Sequence, residues 1–205
     1  IDMKRDTLPD FPFIKTIISL WNPILWSMIT PIYYLGIGKL TLGRMFTYIG
    51  HKLGLFGNMI EECEYEACRP SWLPSKMSPA LSELALNQYL KLDRLNSHRV
   101  KIASIYIKEL GMDHLAENNV YLRFPLRVRD RQELLKKAKD NGIVLGDWYK
   151  SILYAPTSSL KGLMYERGSC PNAEMLEGEI INLPTHIKVN EDDALRISNL
   201  VKPYL

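Results

Sequence analysis

Few residues in this chain are of a type and spacing that could do chemistry by themselves. His51, His98, His114 and His186 are scattered, with neither metal-ligand nor nucleophile–base spacing. His98, flanked by Asn96 and Arg99, reads as a solvated side chain, and His186, after Pro184-Thr185 at the end of an apolar run, reads as structural although it could reach a cleft. Cys63 and Cys68 flank an acidic patch of Glu61, Glu62, Glu64 and Glu66, but no paired His or Cys cluster completes a zinc set, so ordinary thiols are expected. The glycines at 36, 38, 50, 54 and 57 lack the strand–turn–helix context that makes a phosphate loop, and no nucleophile elbow is present. Self-contained hydrolytic, metal and phosphate-loop chemistry is therefore not expected.

Composition narrows the class further. The chain has 205 residues, 46% apolar and 24% charged, enough for a substantial core without staples. Its 26 basic and 23 acidic residues give a net charge of +3, too balanced to imply nucleic acid as a partner. Three cysteines are an odd, small set that fits a reducing cytoplasm. The sequence opens on Ile1 with neither Met nor a signal pattern, so a piece of a longer chain is expected.

The elements that would position any site begin with an unusual run. Residues 16–38 carry no charge and include Trp21, Trp26, Tyr33 and Tyr34, while Pro23 and Pro31 should each break a helix. Between Phe11 and Ile60 stand four cations, Lys15, Lys39, Arg44 and Lys52, and no acid. A bilayer span, a peripheral contact with a membrane surface through 11–60, and short broken helices packed on protein all compete. The prolines favour the last, because no unbroken stretch approaches the twenty or so residues a span requires.

Leucines and other apolar residues recur at three- and four-residue steps over 81–110, predicting one helix about 45 Å long, stopped by Gly111. Residues 120–128 alternate like a strand, with Pro125 marking an edge or bulge. Asp130-Arg-Gln-Glu133 has the form of a capping box opening a helix that Asn141-Gly142 closes. Residues 143–145 and 180–183 are further candidate strands, Pro171 suits the first turn of a short helix over 173–179, and Asn190 caps a last helix over 191–201. Segment 1–69 is thus an apolar, basic helical region, 70–111 a connection with a long helix, and 112–205 a small α+β domain.

Several of these stretches are also similar, in order, to one family. Lys76-Met-Ser-Pro-Ala-Leu-Ser-Glu-Leu-Ala-Leu-Asn-Gln88 resembles the Arg-Met-Ser/Thr opening of the long helix in DegT/DnrJ/StrS-type sugar aminotransferases. Tyr121 to Val128 with the 130–135 segment, Gly142-Ile-Val-Leu-Gly-Asp-Trp-Tyr149, Cys170-Pro-Asn-Ala-Glu174, and Asn182-Leu-Pro-Thr-His186 with Asn190-Glu-Asp-Asp193 look like that family's later elements. The resemblance covers roughly 70–205. It implies an α/β fold: the C-terminal portion of a fold-type I pyridoxal-phosphate-dependent transferase of about twice this length.

The activity implied is transfer of an amino group, usually from glutamate, to a keto sugar attached to a nucleotide, serving amino-sugar, cell-surface polysaccharide or antibiotic-sugar biosynthesis. A homodimer with active sites at the subunit interface is implied, in the cytoplasm or peripheral to the inner face of the membrane. The cofactor's attachment lysine and the acid for its ring nitrogen would belong to a large domain ahead of Ile1, so no catalytic residue is assigned here and this piece would lack the covalent anchor. The family's Tyr-Asn-x-Arg ahead of the Met is replaced by Leu73-Pro74-Ser75-Lys76, leaving Ser75 and Lys76 as candidates for the cofactor phosphate. Trp148 and Tyr149 are candidates for lining a sugar site, since aromatic faces pack on sugar rings. Tyr154 stands where the family has a histidine. Two alternatives stay open: a non-catalytic or regulatory membrane-peripheral relative, and a cofactor-dependent sugar dehydratase.

Overall fold

The computed structural model describes residues 7–33, 35–37, 40–57, 61, 63–64, 68–115, 118–149, 151–153 and 164–205. Two compact units divide the chain, Ile1–Tyr89 and Leu90–Leu205.

In the first unit, helix α1 spans Phe13–Ile29 and a 3-10 turn follows at Thr30–Ile32. Pro23 lies inside α1 and does not break it. A proline removes one donor and so costs its helix one backbone hydrogen bond, here at the Ser19 carbonyl, while the turns on either side continue. Pro31 sits in the first turn of the 3-10 segment, where its missing N–H is not needed. The expectation of short broken helices is corrected: α1 has 17 residues, with only Thr16 and Ile29 buried. Among the described residues no helix is long and apolar enough to cross a membrane.

Two short strands, β1 (Gly36–Ile37) and β2 (Leu40–Thr41), pair antiparallel and lead into α2, Leu42–Lys52. Helix α3, Pro79–Tyr89, completes the unit and packs against α1. The segment before α1 is tied to the start of α3 by a parallel bridge: Phe11 N donates to Lys76 O at 3.1 Å and Lys76 N to Pro9 O at 2.8 Å. Phe11 meets Trp72 edge-on with centroids 5.2 Å apart, and the Lys15 ammonium lies 4.9 Å from the Trp72 centroid while pairing with Glu61.

The second unit begins with α4, Leu92–Glu109. The run expected as one helix over 81–110 is therefore two, interrupted at Leu90-Lys91, where Lys91 has ψ −4°. Tyr89 and Leu90 are both exposed, so no packing at the junction enforces continuity. Strand β3 (Arg123–Arg127) pairs antiparallel with β4 (Ile180–Pro184), Pro125 lying opposite Asn182. On its other side β4 makes a bridge to Gly146, which leaves β3 at the edge, the position a strand proline requires. Residues 143–145, expected as a strand, alternate buried and exposed but form none; the bridge to β4 is made by Gly146, just beyond them.

Between β3 and β4 come α5 (Arg131–Asp140) and α6 (Pro171–Leu176, opened by Pro171), and α7 (Glu191–Val201) follows β4. Asn190 closes the N-terminus of α7 in a reciprocal capping box with Asp193. The box expected at Asp130 and Glu133 does not form. Asp130 adopts φ 47°, ψ 47° without capping, and Glu133 instead accepts the Tyr204 hydroxyl at 2.8 Å. Gly111 and Gly142, at φ 65° and 70°, end α4 and α5 in the left-handed region that glycine tolerates. The core lies on the inner face of the sheet, where Phe124, Leu126, Ile181 and Leu183 meet Ile102 and Tyr106 of α4, Leu134 of α5 and Val201 of α7, all essentially inaccessible. Each such side chain contributes roughly 1.5–3 kcal/mol by burial.

Candidate functional site

Strand alternation decides what the sheet offers to ligands. With Phe124 and Leu126 inward, Arg123, Pro125 and Arg127 must point outward, and Ile180, Asn182 and Pro184 are their cross-strand partners. Over this outer face runs the 146–149 segment. It forms a cleft of about 300 Å³ whose wall includes Pro125, Trp148, Tyr149, Leu176, Glu177 and Asn182. Trp148 and Tyr149, the two aromatic residues singled out from the sequence, are thus brought together in one cleft, each about half exposed.

Asn182 and three further residues set its geometry. The Arg123 guanidinium stacks 4.0 Å from the Trp148 ring centroid, a cation over an aromatic face. The Asn182 side-chain amide donates to the Trp148 carbonyl. Gly146 lets the segment approach β4: a Cβ there would meet Asn182 Cβ at 3.0 Å and Arg123 Nη1 at 3.1 Å. Arg131 is buried behind the cleft, its Nη2 donating to Asp147 O at 2.5 Å and its Nη1 to Glu177 O at 2.9 Å. One guanidinium therefore clamps the aromatic segment to the end of α6.

Arg123 and Asn182 were legible in principle, because period-two alternation places both on the solvent side of their strands. Arg131 was not: it sits in a capping-box pattern and gives no sign of burial. Nearby, the Glu174 carboxylate accepts from the Tyr165 hydroxyl at 2.8 Å and from the Gly168 backbone N–H. The Tyr165 hydroxyl, more than any other contact, holds the carboxyl below its usual range. Glu177 pairs with Arg167 at 2.9 Å. These contacts order α6 and the loop before it.

His186 is not in the cleft lining. Its pKa is lowered, chiefly by burial and then by Lys188 and Arg123, and its Nδ1 accepts the Lys188 N–H at 3.3 Å. His98, expected to be solvated, is half-buried, with Nε2 enclosed and without a partner. Tyr154 lies outside the described residues.

Ser75 and Lys76 belong to the first unit. The Lys76 backbone is held by the Pro9–Phe11 bridge, and its side chain borders a cleft of about 520 Å³ with Asp10, Phe11, Thr16 and Ser78. Its ammonium lies 3.9 Å from Asp10, and the Lys76 side chain itself is 30% exposed. An ammonium with the hydroxyls of Ser75 and Ser78 beside it in the chain fits the phosphate end of pyridoxal phosphate, as donors to a dianion. No residue here is assigned to the pyridine ring. Among the described residues no group of three or more His, Cys, Asp or Glu side chains could hold a metal ion.

Aromatic faces, an amide and a carboxylate around one cleft suit recognition of a ring bearing hydroxyls, and they include no nucleophile–base pair. Residues 71–202 match the model of the DegT/DnrJ/EryC1/StrS aminotransferase family. No curated protein matches the chain. A solved structure, described as a DegT DnrJ EryC1 StrS aminotransferase from Brucella abortus, is similar at 21% identity and a TM-score of 0.48, over 58% of this chain and 33% of that one. The aligned region thus spans a third of that structure's chain. With more than half of its residues matched by the family model, the chain belongs to the DegT/DnrJ/EryC1/StrS aminotransferase family.

Proposed function

We propose that this chain forms the C-terminal part of a pyridoxal-phosphate-dependent aminotransferase, a cytoplasmic homodimer that transfers an amino group from glutamate to a keto sugar carried on a nucleotide. The observation that carries this reading is the family match over 71–202, which includes the whole of the Trp148 cleft. The cofactor, when bound, supplies the electron sink for breaking and making carbon–nitrogen bonds. The residues of this chain bind and orient. Lys76 and Ser75 hold the phosphate end, with charge and a hydroxyl in place of an amide. Trp148 and Tyr149 pack against the sugar ring, and Glu177 and Asn182 offer acceptors and a donor to its hydroxyls. Arg123, stacked on Trp148, brings positive charge beside the cleft, which suits the diphosphate of a nucleotide sugar.

Two measurements on the full-length protein test the proposal. Titration with pyridoxal phosphate should give stoichiometric binding, read from the cofactor's visible absorbance. Glutamate with a nucleotide-linked keto sugar should then yield 2-oxoglutarate. Binding without 2-oxoglutarate, but with loss of a sugar hydroxyl, would assign a dehydratase. No binding at all would assign a non-catalytic relative.

A further inference from the structure

The outer face of the sheet continues past the cleft. Ile180, Asn182 and Pro184 alternate outward along β4, and the residues that follow keep the alternation, with Thr185 buried and His186 exposed. Pro184 stands opposite Arg123, whose guanidinium stacks on Trp148. His186 therefore emerges two residues beyond that pair, on the face that carries Asn182 and the cleft.

The turn that bears His186 is held at both ends. The Thr185 hydroxyl lies 2.7 Å from Tyr121 O and 2.9 Å from Leu122 O, sharing one proton between the two carbonyls and tying the end of β4 to the residues just before β3. Val189 is buried, and its N–H donates to His186 O at 2.9 Å, closing a β-turn over 186–189. Between these anchors Lys188 N donates to His186 Nδ1 at 3.3 Å, which leaves the ring proton on Nε2 as a free donor.

Charge selects the ligand. The charged side chains that act on His186 are Lys188, Arg123 and His98, every one of them basic. Among the described residues neither Arg123 nor Lys188 forms an ion pair. Stacking on Trp148 orients the Arg123 guanidinium without neutralising it. Of the acids that follow in α7, Glu191 pairs with Lys101 and Asp193 closes the capping box. A guanidinium, an ammonium and an imidazole N–H without a counter-charge suit an anion of two linked phosphoryl groups.

We infer that Arg123, His186 and Lys188 form a diphosphate subsite beside the Trp148 cleft, receiving the phosphoryl groups of the nucleotide-linked substrate whose sugar enters the cleft. The inference rests on the function proposed above and adds the residues that hold the charged part of the substrate. Calorimetric titration of the full-length protein with inorganic diphosphate tests it, under saturating pyridoxal phosphate so that the phosphate site at Lys76 is filled. Diphosphate should bind once per chain, and inorganic monophosphate several-fold more weakly. Lys188→Gln should weaken diphosphate binding about fivefold, and Arg123→Gln more strongly. Lys136→Gln, on the helix that covers the inner face of the sheet, should leave it unchanged. All three side chains are exposed, so the variants fold, and thermal melting checks that they do. Absence of diphosphate binding, equal binding of monophosphate, or parental affinity in Lys188→Gln and Arg123→Gln would overturn the inference. If diphosphate binds in the expected pattern while glutamate and the keto sugar yield no 2-oxoglutarate, the proposed function fails and the subsite stands. If 2-oxoglutarate forms while both variants bind diphosphate like the parent, the subsite fails and the function stands.

Discussion

Removing the buried guanidinium behind the cleft should loosen the aromatic segment more than it unfolds the domain. Arg131→Met keeps the stem and volume of the side chain but deletes its donations to Asp147 O and Glu177 O. Two charge-assisted bonds are worth about 1.5–3 kcal/mol each. Against this stands relief: the Nε of Arg131 is buried without a partner, and an unsatisfied buried donor costs about 1–3 kcal/mol. Taking like ends of the two ranges, the net expectation is a loss of about 2–3 kcal/mol. Because the lost bonds join the 146–149 segment to the end of α6, and not the core layers to one another, the effect should be local. Amide exchange across 146–149 and at Glu179–Ile180 should accelerate far more than in α4 or α7. Trp148 emission should also shift as its stacking with Arg123 loosens. A loss under about 0.5 kcal/mol, or uniform acceleration over the whole unit, would refute the clamp.

Three further outcomes follow from contacts in the second unit. Tyr106 is buried, its hydroxyl donating to Pro184 O at 2.8 Å, and burial first, then Asp193, raises its pKa above the ordinary 10.0. The folded state therefore holds that proton more tightly than the unfolded chain. Its stabilising contribution is complete below pH 10 and falls as pH climbs beyond it, and Tyr106→Phe should flatten the alkaline limb of a stability–pH curve. His186, with a pKa below 6.5 in the folded state, should titrate late by NMR; its neutral form supports folding above pH 6.5 and that support is lost as pH drops through the lowered value. Gly146→Ala should cost about 1–3 kcal/mol, because the new methyl meets Asn182 and Arg123, and should open the bridge to β4 as read by Asn182 amide exchange.

The second unit was more legible in the sequence than the first, for reasons visible at single residues. Alternation from Arg123 to Arg127 and the Asn190 cap are local signals that the structure keeps. At Asp130 and Leu90 local signals lose to context. Glu133 is drawn to the Tyr204 hydroxyl and cannot return to its own helix end. At the junction the apolar residues Tyr89, Leu90 and Leu92 are exposed, so their periodicity does not enforce one helix. Pro23 shows the converse, a helix breaker outweighed by intact turns around it. The cleft was legible through Trp148 and Tyr149, whose aromatic rings announce themselves. Its clamp was not, since nothing in the 130–133 segment foretells that Arg131 is buried between two backbone carbonyls.

The most direct test of the proposed function is a pair of Michaelis constants for the full-length protein and its Trp148→Ala variant, one for the nucleotide-linked keto sugar and one for glutamate. If the Trp148 cleft holds the sugar, truncation removes stacking worth about 1–3 kcal/mol and the KM for the sugar should rise roughly tenfold or more, with the glutamate KM unchanged. Equal KM values for the sugar in the two proteins, or a rise for glutamate alone, would contradict it.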